Sequence, residues 1–267
     1  MTRRLDGSGR LRCLGCVASP THYPTAGLID PIGQNRTMKS SVGSGDGHHS
    51  MTRVLSVNVG TPRKVLSGRA TVLTSIFKSP VQGRVDVRQH NIDGDLQSDL
   101  TVHGGPNKAV YCYPREHYQY WAEQLPEMDL SFGAFGENLT TEGITEEDVR
   151  VGDRFRVGSA LLQATQPRMP CFKLGIRFGR PDMVKRFWQS GRPGIYFSVL
   201  EEGDVAAGDR IEKTDQGPEE ISLADVVRLY RGDEKSPELL ERALRAPLSG
   251  SWKQELLERM GGKAGRR

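Results

Sequence analysis

The chain predicts an α+β fold in three parts: a disordered extension over residues 1–50, a mostly-β barrel over 51–213, and a small three-helix domain over 214–267. Three observations lead there. From Met51 onward, short runs rich in β-branched residues recur, each bounded by Gly or Pro, the signature of strands joined by tight turns. After residue 213 the apolar period lengthens from that of a strand to that of a helix. Before Met51, Gly, Ser, Pro and Thr recur without any apolar period, ending in Ser40-Ser41-Val42-Gly43-Ser44-Gly45-Asp46-Gly47. Such a composition buries too little apolar surface to offset the entropy of ordering the chain.

Taken in order, the extension lacks an apolar stretch of signal-peptide length and an obvious cleavage site, so secretion is not expected. Met51 reads as the natural start with upstream residues before it, and a disordered regulatory tail is the other reading. Strands are expected at 53–59, 70–77, 84–88, 109–113, 154–157, 160–165 and 194–200. Short strands in that number argue for a closed or nearly closed barrel. One helix interrupts them: Pro114 suits a first helical turn, and Tyr118, Trp121, Ala122 and Leu125 follow at one-face spacing. The pattern D-V-x-x-G-D-R plus an apolar residue occurs twice, at Asp148 to Phe155 and at Asp204 to Ile211. It reads as one Gly-Asp corner used twice, each feeding a strand, rather than as a ligand site at Asp153 or Asp209.

In the tail, Ser222 with Asp225 forms a capping-box-like S-x-x-D before the stripe Leu223, Val226, Val227 and Tyr230. Ser236-Pro237 opens a second helix bearing Leu239, Leu240, Ala243 and Leu244. A third, from Ser251 to Arg259, carries Trp252, Leu256 and Leu257.

Composition narrows the function. The 267 residues are 36% hydrophobic and 26% charged, as in a soluble globular protein able to bury a substantial core. The net charge of +4 divides unevenly, with six Lys/Arg against three Asp/Glu in residues 1–50, leaving +1 for everything after. A near-neutral body gives no support for nucleic-acid binding. No run of eighteen apolar residues suggests a membrane span. Of the four cysteines, Cys13 and Cys16 make a lone C-x-x-C whose nearest histidines are His48 and His49, a poor zinc set. No cysteine set could hold an iron-sulfur cluster, and the absence of a disulfide framework fits a reducing, cytoplasmic location.

The leading candidate for chemistry is Cys171, in Gln166-Pro167-Arg168-Met169-Pro170-Cys171-Phe172-Lys173-Leu174. Arg168 and Lys173 flank it, and nearby positive charge favours the ionised form of a thiol. Pro167 and Pro170 stiffen the backbone, so the sulfur would be presented from a rigid loop. The bland alternative is a small buried hydrophobe. A second candidate is the segment Gly94 to Tyr111, in which His103 enters a Gly-Gly-Pro turn followed by Asn107 and Lys108. It suits an anion or a purely structural turn, and matches no nucleotide loop. In a third, Gly133 to Thr140, glycines around Phe135 could bring Glu137 and Asn138 to a cavity mouth.

These segments together resemble a known family. The order H-G-G-P-x-K-A-V-Y (His103 to Tyr111), P-x-E-H-Y-x-x-W (Pro114 to Trp121), G-A-F-G-E-N-L-T (Gly133 to Thr140), Q-P-R-x-P-C-F-K-L (Gln166 to Leu174) and S-G-R-x-G (Ser190 to Gly194) is similar to that of MOSC-domain proteins of the YiiM-like branch. The resemblance runs from about Met51 to Glu212, with a tail resembling the three-helix domain that follows in this branch.

The resemblance implies a β-barrel related to the C-terminal domain of molybdenum-cofactor sulfurases, requiring no pyridoxal phosphate. It implies that Cys171 ligates molybdenum held by the dithiolene of the molybdenum cofactor (molybdopterin with Mo). A soft thiolate suits such a metal. The cofactor's phosphate and pterin need donors, and Lys78, His103, Asn107, Lys108 and Arg168 are the candidates, with Asn138 and Arg192 for the pterin or substrate side. The implied reaction is two-electron reduction of an N-hydroxylated small molecule such as a hydroxylaminopurine, a detoxification. The sequence carries no flavin or nicotinamide motif, so electrons are expected from a separate flavin-type reductase. The alternative is a sulfur carrier or cofactor-handling protein using a persulfide on Cys171.

Overall fold

A computed structural model describes residues 52–98 and 104–260. The expected disordered extension, Cys13, Cys16, the His48-His49 pair and His103 lie outside the described residues. The described chain is mixed, with twelve strands and six helices.

The main sheet contains eight strands: β1 (Arg53–Val59), β4 (Ser79–Val81), β6 (Val110–Pro114), β7 (Leu139–Glu142), β8 (Arg154–Val157), β9 (Ala160–Pro167), β10 (Ile195–Glu201) and β12 (Ile211–Asp215). Their spatial order is β12-β8-β9-β10-β6-β7-β1-β4, all antiparallel except the β6/β7 pair. Two short ribbons accompany it: β2 (Arg63–Ser67) with β3 (Ala70–Thr74), and β5 (Val85–Val87) with β11 (Gly203–Val205).

Of the closed and nearly closed barrels expected, the ladder excludes the closed one. The sheet keeps two edges, β4 and β12. Among the described residues, the start of β1, the strand next to the β4 edge, reaches the corner before β12 through Val54 N to Asp209 O at 2.9 Å, Gly208 N to Val54 O at 2.8 Å and Ile211 N to Thr52 O at 2.9 Å. Beyond Val54 the strand shifts register and its second half turns to β4, so the bonds round the ring are not continuous.

Both copies of the repeated motif form the same corner. Asp153 Oδ2 accepts from Arg150 N and Asp209 Oδ2 accepts from Ala206 N, each at 2.9 Å. Gly152 and Gly208 hold φ of 92° and 96°, which a side chain would resist.

Helices α1 (Arg115–Gln124), α2 (Phe172–Phe178) and α3 (Met183–Gln189) lie against one part of the sheet around an aromatic cluster. Trp121, Phe135 and Phe187 are fully buried there, and Trp121 Nε1 donates to Tyr113 Oη at 2.7 Å. Burying an aromatic ring of this size stabilises the fold by about 2–3 kcal/mol. This cluster fixes the loop 131–138 that borders the site. The tail helices are α4 (Leu223–Arg231), α5 (Pro237–Arg245) and α6 (Gly250–Met260). Ser222 and Asp225 form the expected capping box, and Ser236 caps α5. Val151 N to Ile221 O and Leu223 N to Val149 O tie the start of α4 to the sheet.

Candidate functional site

Two adjoining cavities meet at Cys171. The inner one, about 90 Å³, is lined by polar and charged side chains: Ser75, Lys78, Asp95, Gln97, Ser98, Lys108, Asn138, Arg168, Cys171 and Lys173, with Tyr111 and Tyr196. The outer one, about 620 Å³, adds Val72, Leu73, Gln166, Met169, Pro170 and Phe172 and shares Ser98, Lys108, Cys171, Lys173 and Tyr196. The outer volume is that of ordinary small-molecule clefts.

Cys171 is half-buried and ends the short loop 168–171 between β9 and α2, as the extended residue immediately before α2, its backbone at φ −118° and ψ 169°. Pro167 ends β9 and Pro170 precedes the thiol, so strand and helix hold it from either side. The other described cysteine, Cys112, is buried in the core, where loss of hydration pushes its thiol far up. Of the two described cysteines, Cys171 is therefore the one that lines a cavity with its thiol outside the core.

The cations around the sulfur are individually anchored. Lys78 Nζ meets Asp95 Oδ2 at 2.6 Å, and Asp95 also accepts from Asn138 Nδ2 at 3.0 Å and Gly60 N at 2.8 Å. Burial draws the Lys78 ammonium below its ordinary value, and the Asp95 charge opposes that shift. Arg168 is buried, donates from Nη1 to Phe135 O, and lies 4.7 Å from the Tyr111 ring centroid. Burial works against its charge, but Tyr111, Tyr196 and Cys171 favour that charge and the net effect is upward. Lys173, also buried, donates from Nζ to Ser98 Oγ at 3.1 Å. Burial lowers Lys108.

Two buried polar atoms in residues lining these cavities have no hydrogen-bond partner among the described residues: Ser75 Oγ in the inner wall and Gln166 Oε1 in the outer. Leaving such a group unpaired costs about 1–3 kcal/mol, a cost native structures bear mainly where a ligand or function explains it.

Of the residues picked from sequence, the fold brings Lys78, Lys108, Asn138, Arg168 and Cys171 together. Asn107 is exposed, and its contribution is a backbone oxygen taken by Thr165 Oγ1 at 2.7 Å. Arg192 goes elsewhere: its Nη1 bonds Ser190 O at 2.9 Å, it covers the Tyr120 ring, and it lines a separate cavity with His117 and Glu146. The turn before β10 aims it there. Glu137, expected at a cavity mouth, is fully buried and accepts from Gly133 N, Phe135 N, Thr140 Oγ1 and the Tyr118 hydroxyl. It organises the loop. Asp95, Ser75, Tyr111 and Tyr196 were missed as site residues. Asp95 and Tyr111 lie within the segment examined around His103, but only the tertiary fold shows that they face Cys171.

Residues 99–212 match the MOSC domain family, and residues 221–260 match the YiiM-like, 3-alpha helix domain family. The chain is 44% identical over 207 residues to the uncharacterized protein YflK of Bacillus subtilis (strain 168), covering 77% of this chain and 93% of that one. It is 36% identical over 200 residues to a protein named Reductase from Gibberella moniliformis, covering 73% of this chain and 35% of that one. The crystal structure of YiiM from Geobacillus stearothermophilus superposes with a TM-score of 0.65 at 34% identity, covering 78% of this chain and 99% of that one. On these matches the chain belongs to the MOSC-domain family, in the branch where a YiiM-like three-helix domain follows the sheet.

Proposed function

We propose that the protein is a molybdenum-cofactor-dependent reductase of N-hydroxylated compounds, such as hydroxylaminopurine base analogues, acting in detoxification with electrons from a separate flavin-type reductase. The observation that carries this reading is the half-buried Cys171 at the junction of a cation-rich inner cavity and an apolar outer cleft. Family membership and the reductase-named relative support it.

The residues present fit the cofactor. Among the described residues no group of three or more His, Cys, Asp or Glu could hold a metal, so the protein would offer the single thiolate of Cys171 and the cofactor its own dithiolene. The inner cavity sets Lys78, Lys108, Arg168 and Lys173 against one carboxylate, Asp95. That surplus of positive charge suits a phosphate, through charge-assisted hydrogen bonds. The unpartnered Ser75 and Gln166 oxygens suit a ligand rich in hydrogen-bonding groups.

When bound, the cofactor supplies the two-electron chemistry that cleaves the N–O bond. Overall, the substrate takes up two electrons and two protons, and gives an amine and water. Cys171 would hold the metal, while Lys78, Arg168 and Lys173 would hold the anionic end. Val72, Leu73, Met169, Pro170 and Phe172 take the flat face of the base and exclude water. Lys108 lines both cavities and its ammonium is lowered by burial, so we assign to its Nζ the proton for the departing oxygen.

The test is molybdenum content and hydroxylaminopurine reduction by dithionite-reduced methyl viologen, on protein from a cofactor-competent host, comparing wild type with Cys171→Ser. Stoichiometric molybdenum and activity in the wild type, both lost in the variant, are expected. A labile sulfane sulfur on Cys171 with no metal would instead identify a sulfur carrier.

A further inference from the structure

The β2–β3 hairpin borders the outer cleft through Val72 and Leu73 and, among the described residues, pairs with no other strand. Its register, Lys64 opposite Leu73 and Leu66 opposite Thr71, puts these four side chains on one face, and all four are exposed. Leu66 is 73% and Leu73 46% exposed, and across the cleft Phe172 is 60% exposed. A two-stranded ribbon is marginal without a packing partner, and clustered exposed apolar side chains mark interaction surfaces.

Charge says what kind of partner fits. Residues 60–77 include Arg63, Lys64 and Arg69 and no Asp or Glu, whereas residues 51–267 as a whole are near neutral. The hairpin that carries the apolar face thus bears charge of one sign, with Lys64 on the face itself and Arg69 at the turn.

We infer that the hairpin face and the lip of the outer cleft are the docking surface for an acidic, flavin-containing electron carrier. The inference rests on the reductase reading and adds where the donor binds. The hairpin's cations speed the encounter with an acidic protein, and the apolar centre excludes water from the contact. Two reduced carriers each give one electron. Together with two protons from solvent these convert one N-hydroxyl group to an N–H group and release one water. Carrier and substrate would use the same opening in turn.

The experiment uses the full-length, cofactor-loaded protein and compares two donors, reduced flavodoxin as the acidic carrier and reduced methyl viologen as a small donor that needs no docking. Lys64→Glu with Arg69→Glu, and separately Leu66→Ser, change the surface without touching the cavity walls. The charge reversal is expected to lower kcat/KM for flavodoxin by about 10- to 100-fold at low salt, the deficit shrinking at high salt, with viologen-driven turnover unchanged. Leu66→Ser is expected to lower it at both salt concentrations. Unaltered flavodoxin kinetics in the variants, no reduction of wild type by flavodoxin, or equal losses with both donors would overturn the assignment. So would a wild-type dimer in sedimentation that Leu66→Ser dissociates, since the face would then serve self-association. Wild type inactive even with viologen would remove the reductase reading itself, and the docking surface with it.

Discussion

Two of the cavities among the described residues are walled by ionisable groups on opposite plans. At Cys171, four cations stand over one carboxylate. In the cavity between α1, the 190–192 turn and α4, Arg192, Arg228 and Arg231 face Glu116, Glu146, Glu147 and Asp233, and His117 Nε2 lies 2.6 Å from Glu146 Oε2. There the pairs are closed within the protein: Glu146 Oε1 also accepts from Gly194 N at 2.5 Å, Arg231 Nε meets Asp233 at 2.8 Å, and Arg228 bonds Glu147. Charge matched within the protein, buried at Glu146 and His117 and more exposed in the other pairs, makes a joint between the sheet and the tail helices. An excess of positive charge, buried at Lys78, Arg168 and Lys173 and set beside unpartnered polar atoms, leaves a role for an anionic ligand. The difference teaches that the balance of charge, more than its amount, separates a site from a seam.

Breaking the seam is expected to have the largest effect on stability and little on ligand retention. Glu146→Ala removes the acceptor of both His117 and Gly194 N, two buried donors, and is expected to cost about 3–5 kcal/mol in chemical denaturation. At temperatures where the variant is folded, molybdenum content should match the wild type. A loss of metal with retained stability would show that the seam is part of the site.

The converse is the Arg168→Met and Arg192→Met pair. Both remove a guanidinium close to an aromatic ring, but only Arg168 lines the Cys171 cavity. Arg168→Met is expected to weaken retention of an anionic cofactor by about 10- to 100-fold, the worth of a hydrogen bond to a charged group, read as molybdenum lost on dialysis. Arg192→Met should retain it. Equal retention in the two variants would put the anion elsewhere.

How far the sequence revealed these two regions follows from how local each signal is. The tail helices were legible because Ser222, Asp225, Ser236 and the apolar stripes signal within one or two turns. The repeated corner was legible because Asp153 and Asp209 bond their own turns. Missed were α2 and α3, seven residues each, too short for a helical period to emerge, and α2 carries Gly175 in its middle. Also missed was β7: Leu139, Thr140 and Thr141 are all buried, so it shows no alternation. The strand expected over 70–77 ends at Thr74, because the chain turns away there to bring Ser75 and Lys78 to the cavity. Cys171 and Arg168 were found as neighbours in sequence. Asp95 and Tyr196 reach them only through the sheet, and no local pattern announces that.

The smallest expected effect tests whether a carboxylate next to the cation-rich cavity belongs to the ligand or to the scaffold. Glu137 sits one residue from Gly136 and Asn138, both cavity-lining, yet its oxygens are taken by the loop's own donors. Burial raises its carboxyl above the ordinary value of 4.5, although its hydrogen bonds pull the other way. A group raised in the folded state binds more protons there than in the unfolded chain. Its contribution to stability is therefore full below about 4.5 and declines as pH climbs through the folded value. Urea denaturation of the wild type should show that decline on the alkaline side of 4.5, and Glu137→Gln, which cannot titrate, should lack it whatever its absolute stability. A steeper decline in the variant would contradict this. If Glu137 is scaffold, the wild-type slope is the same with and without bound cofactor; a slope that changes on loading would make Glu137 part of the ligand's electrostatic surroundings.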